Sequence, residues 1–68
     1  TNISEGSAKT SNKDFARFLE ISLGSTFELE TELLVSLNLS YIDVEAYNRL
    51  QEKLSELQKM IIGFKNNL

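Results

Sequence analysis

The sequence predicts an all-α protein built from an antiparallel helical hairpin. The chain has 68 residues, no Pro and only three Gly, so the residues that most often interrupt helices are nearly absent. Apolar residues recur at spacings of three and four in two stretches, and a break at residues 39–42 separates them. We therefore expect two long helices, over residues 12–38 and 44–67, joined by a short turn.

The first helix is expected to begin close to Ser11. Residues 1–10 are small and polar, and we expect them to be the end of a preceding helix and a connection, followed by a hairpin over residues 11–68. Ser11 is a suitable N-cap, with Asp14 in the first turn. The apolar positions span more than one helical stripe, which predicts burial on more than one side. They are Phe15, Phe18, Leu19, Leu23, Phe27, Leu33, Leu34 and Leu37.

The second helix carries the most regular pattern in the chain. The first helix is expected to end through a left-handed Ser40, and Asp43 is the expected N-cap of the second. Apolar residues then alternate in steps of three and four, which predicts a heptad seam facing the first helix. These residues are Tyr47, Leu50, Leu54, Leu57, Ile61, Phe64 and Leu68.

The hairpin carries more apolar surface than two helices can bury on each other. We therefore expect partner helices, either from a further part of the chain or from other subunits. A Gly in the middle of a helix costs about 1 kcal/mol relative to Ala, so we expect close helix packing around Gly24, helped by the small residues 22, 25 and 26. The residues predicted to pack helices or subunits are Phe15, Phe18, Leu23, Gly24, Ser25, Phe27, Tyr47, Leu54 and Ile61.

The composition argues against catalysis and against metal or cofactor binding. Without Cys or His, the chain has no disulfide, no common zinc ligand set and no usual base for a Ser nucleophile. Glu28 and Glu32, with Glu52 or Glu56, could imitate a di-metal site, but such sites also use His. We favour interhelical hydrogen bonding by the Glu28–Glu32 segment. The prediction is a non-enzyme with no catalytic residue, no cofactor, no metal and no small-molecule substrate.

Localisation follows from the absence of export and membrane signals. No run approaches the roughly 18 apolar residues that a membrane span requires, and the N-terminus lacks the pattern of a signal peptide. We expect a cytoplasmic protein without a membrane partner. Because the chain begins without Met, we also expect it to be a fragment or a processed product.

Charge is distributed unevenly along the chain. The net charge is -3, with +1 over residues 1–19, -6 over residues 20–45 and +2 over residues 46–68. Lys9, Lys13 and Arg17 form a basic patch that other subunits would repeat, and repeated patches can bind the phosphates of RNA or DNA. The alternative is that Arg17 pairs with Asp14 or Glu20 and that the lysines only keep the surface soluble.

Several spaced motifs resemble a known family. They are NISEGSAK at 2–9, SNKDF at 11–15, RFL at 17–19, ISLGS at 21–25, ELETEL at 28–33 and LSYI at 39–42. Together they resemble the four-helix-bundle proteins encoded within intervening sequences of bacterial 23S ribosomal RNA genes. A relative of that family is the accessory variability determinant of diversity-generating retroelements.

The resemblance also predicts a complete fold, an assembly and a role, which the pattern of residues alone does not. It implies that the hairpin is the C-terminal half of an up-down four-helix bundle, with two further helices before it. It also implies a homo-oligomer, commonly a pentamer, with nucleic-acid binding as a role. The alternative function is a protein–protein interaction scaffold that does not bind nucleic acid. Ser40 departs from the family, which usually has Gly at this turn.

Overall fold

The protein is an antiparallel pair of α-helices. The computed structural model describes residues 8–68, with side chains from Ser11 onward. Helix α1 spans Ala8–Asn38 and helix α2 spans Val44–Asn66, and the molecule measures 50 × 20 × 16 Å. Within this range there is no strand, so the predicted all-α hairpin is confirmed.

The predicted start of α1 at residue 12 is wrong. The chain is already helical at Ala8, which places Ser11 and Asp14 inside the helix rather than at its cap. Ala and Lys are strong helix formers, and a capping side chain contributes only about 1 kcal/mol, so Ser11 does not stop a helix that residues 8–10 can extend. The predicted preceding helix end at residues 1–7 lies outside the described residues.

Helix α1 ends at Asn38 as predicted, through a left-handed Ser40 with φ of 65°. The Tyr41 N–H donates to the Ser36 carbonyl at 2.8 Å, and the Ser40 N–H donates to the Leu37 carbonyl at 3.0 Å. These two bonds form a Schellman motif, which satisfies carbonyls that the helix end would leave free.

Helix α2 begins at the predicted cap. The Ala46 N–H donates to Asp43 Oδ1 at 2.7 Å, which satisfies one of the free donors in the first turn. Glu45 lies in the first turn and Lys65 in the last, and both charges are favourable to the helix dipole. The turn and this cap together fix the point where the chain reverses.

The contact between the helices combines a thin apolar core with polar contacts. Leu19, Leu54 and Ile61 are the buried apolar residues, and Thr26 is buried with them. The Gln58 side chain donates to the Thr26 hydroxyl at 3.2 Å, and that hydroxyl donates to the Leu23 carbonyl at 2.6 Å. The buried hydroxyl therefore donates one hydrogen bond and accepts another.

Two further polar contacts join the helices on either side of this centre. Gln51 Nε2 donates to Glu30 Oε2 at 2.7 Å, towards the turn. Lys65 Nζ lies 3.8 Å from Glu20 Oε2, towards the open end of the hairpin. The contact line on α2 therefore runs through Gln51, Gln58 and Lys65 as well as through apolar residues.

The predicted heptad seam is only partly correct. Leu54 and Ile61 are buried and Tyr47 is half-buried, whereas the other members of the seam are exposed. They are Leu50, Leu57, Phe64 and Leu68. Because the polar contacts draw one edge of α2 towards α1, the stripe at residues 50, 57 and 64 turns outwards.

Replacing Ser40 by Gly should raise the free energy of unfolding by about 0.5–1 kcal/mol, because Gly adopts positive φ without a Cβ clash. Urea unfolding followed by circular dichroism measures the change. As a control, Ser55→Gly within α2 should lower the stability by about 0.5 kcal/mol. A Ser40→Gly protein no more stable than the parent would contradict the left-handed turn.

Candidate assembly interface

One side of the hairpin carries a long apolar groove, which is open to solvent. Its larger section has a volume of about 540 Å³ and the adjoining section about 410 Å³, and Leu57 lines both. We call this surface the apolar groove. Its floor is the buried Leu19, Leu54 and Ile61, and its exposed walls are Phe15, Phe18, Ile21, Leu29, Leu50, Leu57, Met60 and Phe64.

The two ends of the apolar groove differ in chemistry. At the open end of the hairpin, the Phe15 ring lies 6.5 Å from Phe18 in a stacked arrangement and 6.5 Å from Phe64 in a tilted one. Both distances are typical of favourable aromatic pairs, and the second pair joins the helices. We call this the aromatic end. The aliphatic end, nearer the turn, is lined by Leu29, Leu33 and Leu50.

Most large hydrophobic side chains of the described part are exposed, and half of the exposed ones line the apolar groove. Among the described side chains, three apolar residues are buried whereas sixteen large hydrophobic ones are exposed. Phe18 is 62% exposed and Met60 57%. Isolated exposed apolar residues are ordinary, but a contiguous apolar surface marks an interaction site. The hairpin therefore presents a surface suited to a partner helix.

The predicted packing residues fall into three environments. Phe15, Phe18 and Ser25 line the apolar groove, and the Ser25 hydroxyl donates to the Ile21 carbonyl at 3.1 Å. Phe27 is exposed elsewhere on α1. The remaining apolar members lie between the helices, buried or half-buried: Leu23, Tyr47, Leu54 and Ile61.

The small residues of α1 do not form one surface, contrary to the expectation from their spacing. Thr26 is buried against Gln58, whereas Ser22 and Ser25 line the apolar groove. Gly24 is exposed, and a Cβ added there would meet nothing within 4 Å. Each residue turns an α-helix by 100°, so positions 22, 24, 25 and 26 point in different directions and cannot all face one partner. Nothing within the hairpin explains why position 24 is Gly.

Several groove residues were missed by sequence reasoning. Leu29 did not belong to the predicted packing set, and Leu57 and Phe64 were assigned to the seam inside the hairpin. The signal was present in the spacing, since residues 50, 57 and 64 form one heptad stripe and residues 47, 54 and 61 another. Spacing could not show which stripe faces α1.

The basic residues lie on the outer surface of α1. Lys13 and Arg17 are exposed, and they border a shallow depression with Asp14, Ala16 and Glu20. Among the side chains described from Ser11 onward, neither cation has a carboxylate within 4.0 Å. The alternative pairing of Arg17 with Asp14 or Glu20 is therefore not formed. The side chain of Lys9 lies outside the described part.

The carboxylates that resembled a metal site do not assemble one. Glu30 accepts a hydrogen bond from Gln51 across the helices, whereas Glu28 and Glu32 are exposed. Within residues 8–68, no group of three carboxylates is arranged to hold a metal ion. In the same range, neither helix is long and apolar enough to cross a membrane.

Comparison with known proteins identifies the family. A family model described as 23S rRNA-intervening sequence protein matches residues 1–63. The chain belongs to this family. The match covers both helices of the hairpin except the last residues of α2, and it confirms the resemblance drawn from the spaced motifs. The 23S rRNA-intervening sequence proteins are not known as enzymes. No curated protein and no solved structure matches the chain.

If the apolar groove is a contact between subunits, Phe18→Ser should weaken self-association without unfolding the hairpin, because the ring is 62% exposed and its aromatic partner Phe15 lies on the same helix. Removing a Phe that a partner buries costs about 1.5–3 kcal/mol, which corresponds to roughly ten- to a hundred-fold weaker association. Sedimentation over a range of concentrations measures it. Tyr41→Ser is the control, since Tyr41 is exposed at the turn outside the groove. Equal effects of the two substitutions would contradict a role for the groove.

Gly24→Leu should reduce the mass of the assembly while leaving the hairpin helical. The added side chain meets nothing within the chain, and Leu improves helix propensity by about 0.8–1 kcal/mol. Any loss must therefore come from a neighbouring chain that approaches Gly24. Light scattering gives the mass, and Gly24→Ala is the control that adds only a methyl group. An unchanged mass for Gly24→Leu would show that no neighbouring chain approaches Gly24.

Proposed function

We propose that this protein is a non-enzymatic, homo-oligomeric helical scaffold of the cytoplasm whose assembled subunits bind RNA or DNA. The observation that carries the proposal is the apolar groove, which runs along the hairpin and stays open within one chain. Assembly of five subunits, as the family resemblance implies, is the form we propose to test first. Every subunit would then contribute its own copy of the basic patch.

Self-association has a sufficient driving force. Burial of apolar surface contributes about 25 cal/mol per Å², and the groove walls include side chains that are 40–62% exposed. Covering several such side chains on each subunit would offset an entropy cost of association on the order of 4–15 kcal/mol. The same burial would supply the core that a hairpin with three buried apolar residues lacks.

Nucleic-acid binding is proposed from the exposed cations of α1. Lys13 and Arg17 are four residues apart and therefore share one face of the helix. With no carboxylate within 4.0 Å among the described side chains, their charges are available to phosphates. Two cations per subunit bind weakly, but a ring multiplies them, and affinity increases with each phosphate neutralised.

The proposal of a non-enzyme rests on what the polar side chains do. The hydroxyls of Ser25, Thr26 and Thr31 each donate to a backbone carbonyl three or four residues earlier in α1. A nucleophilic hydroxyl needs a base within hydrogen-bond reach, usually His, and the sequence has no His. These hydroxyls are therefore structural groups of the helix.

A second candidate function is a protein-interaction scaffold without nucleic-acid binding. The observation that favours it is the apolar surface at the turn, where Leu39, Tyr41 and Val44 are 56–76% exposed. This surface lies at the end of the hairpin rather than along it, so it stays accessible when the apolar groove is covered. The acidic net charge of -3 also favours a protein partner over nucleic acid.

Titration of labelled RNA and duplex DNA with the assembled protein at several salt concentrations separates the two functions. We expect affinity to fall with salt, and Lys13→Gln with Arg17→Gln should reduce the salt dependence by about two ion equivalents per bound subunit. The control is Arg49→Gln with Lys59→Gln, which removes two exposed charges of α2 that do not line the apolar groove. Absence of salt-dependent binding by the intact assembly would favour the protein-interaction scaffold.

A further inference from the structure

The turn between the helices carries apolar side chains that the fold does not use. Leu39 is 56% exposed, Tyr41 76% and Val44 61%, and no other large hydrophobic side chain in the described part is as exposed as Tyr41. In a Schellman turn, a residue at the position of Tyr41 often packs back against the helix. The Tyr41 ring leaves most of its surface in solvent instead, so the turn keeps its shape without it.

The backbone that presents these side chains is held by hydrogen bonds. The N–H groups of residues 39, 40 and 41 donate to carbonyls in the last turn of α1 at 2.8–3.0 Å. Asp43 then fixes the start of α2 through the bond that it accepts from the Ala46 N–H. A surface that is already ordered loses little conformational entropy when a partner binds, which favours docking at this place.

The exposed side chains surround a depression, which we call the turn cavity. Its volume is about 390 Å³, near the lower end of the roughly 300–1,000 Å³ typical of ligand pockets, so it suits one long side chain rather than a helix. Leu37 and Ile42 are half-buried within it, and Asp43 is the charged residue of its lining. The lining residues are Leu37, Ser40, Tyr41, Ile42, Asp43 and Val44.

The charge at the turn cavity is negative. Asp43 lines the cavity itself, and its Oδ1 accepts the capping bond, whereas its Oδ2 has no hydrogen-bond partner among the described residues. Glu45 follows in the first turn of α2. The sequence has no basic residue between Arg17 and Arg49, and neither of these lines the cavity. A partner that complements this surface therefore carries positive charge.

We propose that the turn cavity docks an arginine side chain from a basic segment of another protein. This inference rests on the second candidate function, the protein-interaction scaffold, and names the chemistry of its partner. The methylene stem of the arginine packs along Leu37, Ile42 and Val44, as long cationic side chains commonly do on apolar surfaces. Its guanidinium lies against the Tyr41 ring and donates to the Asp43 carboxylate.

Arginine fits this arrangement better than lysine. Its planar guanidinium stacks on an aromatic ring while its N–H groups bond to a carboxylate, whereas the lysine ammonium is a compact, strongly hydrated point charge. Tyrosine and arginine are also among the residue types that most often dominate the energy of protein–protein interfaces. A nucleic acid is disfavoured at the same place, because its phosphates would meet Asp43 and Glu45 rather than a cation.

Docking at the turn uses none of the residues that line the apolar groove. The groove therefore remains available to further helices of the bundle or to other subunits, whatever their number. Lys13 and Arg17 do not line the turn cavity either, so phosphate binding and protein docking use different parts of one hairpin. In an assembly each subunit presents one turn cavity, and a partner with several arginines gains affinity by binding more than one.

Fluorescence anisotropy with a labelled peptide of alternating Arg and Leu residues tests the proposal on the full chain. Two matched peptides replace every Arg with Lys or with citrulline, which keeps the shape of arginine but carries no charge. We expect affinity to fall in the order Arg, Lys, citrulline. Affinity should also fall as salt is raised, because Asp43 and Glu45 are exposed to solvent.

Substitutions in the turn cavity give the sharper test. Tyr41→Ser should weaken binding of the Arg peptide roughly three- to tenfold, whereas Tyr41→Phe keeps the aromatic ring and should bind like the parent. Asp43→Asn should weaken binding roughly two- to fivefold, and it keeps the turn because Asn caps a helix about as well as Asp. The matched control is Glu52→Gln, which removes an exposed acid of α2 that lines neither the turn cavity nor the apolar groove and should leave binding unchanged.

Several outcomes would overturn the arginine site. They are equal binding of the Arg and citrulline peptides, equal losses for Asp43→Asn and Glu52→Gln, and no loss for Tyr41→Ser. A loss of RNA binding in the turn variants would overturn it as well, because the turn would then belong to the nucleic-acid surface.

The remaining outcomes separate the arginine site from the broader function. If no peptide binds while the assembly keeps its mass and its RNA binding, the arginine site is wrong and the oligomeric scaffold stands. If the Arg peptide binds and RNA does not, the arginine site stands and the protein-interaction scaffold is favoured.

Discussion

Two helices that meet along a single line can bury only one narrow stripe each, and the rest of this protein depends on that constraint. Leu19, Leu54 and Ile61 occupy the line and are buried, whereas the stripe at residues 50, 57 and 64 remains outside it. The apolar groove is the direct result. A core this small stabilises a hairpin only weakly, because a short chain buries too little surface to offset its loss of conformational entropy.

Polar contacts decide which stripe the hairpin buries. Gln51 bonds to Glu30, Gln58 bonds to Thr26, and Lys65 approaches Glu20, all along one edge of α2. The three positions on α2 are seven residues apart, so they extend the same contact line through its whole length. These bonds hold α2 in one rotation about its axis. The opposite edge, with its aromatic and aliphatic side chains, then stays open to solvent.

Lys13 and Arg17 are exposed on α1 and line neither section of the apolar groove. The proposed assembly and the proposed phosphate binding would therefore use separate surfaces of the same hairpin.

Local sequence signals determined the secondary structure and the family. The helix end at Asn38, the left-handed Ser40 and the Asp43 cap all depend on interactions within a few residues, so spacing and residue type sufficed. The start of α1 was predicted too late because a capping side chain contributes only about 1 kcal/mol. That is too little to end a helix when the residues before the cap also favour helix. The spaced motifs were enough for the family, because they run in order along the chain.

Only the tertiary structure decided which face of each helix is inside. Periodicity shows that a helix has apolar stripes, but it gives equal weight to residues 47, 54 and 61 and to residues 50, 57 and 64. The choice between them depends on the bonds of Gln51 and Gln58, which join residues 21 and 32 positions apart. Such contacts leave no mark on local spacing, so the open groove became visible only once the two helices were packed.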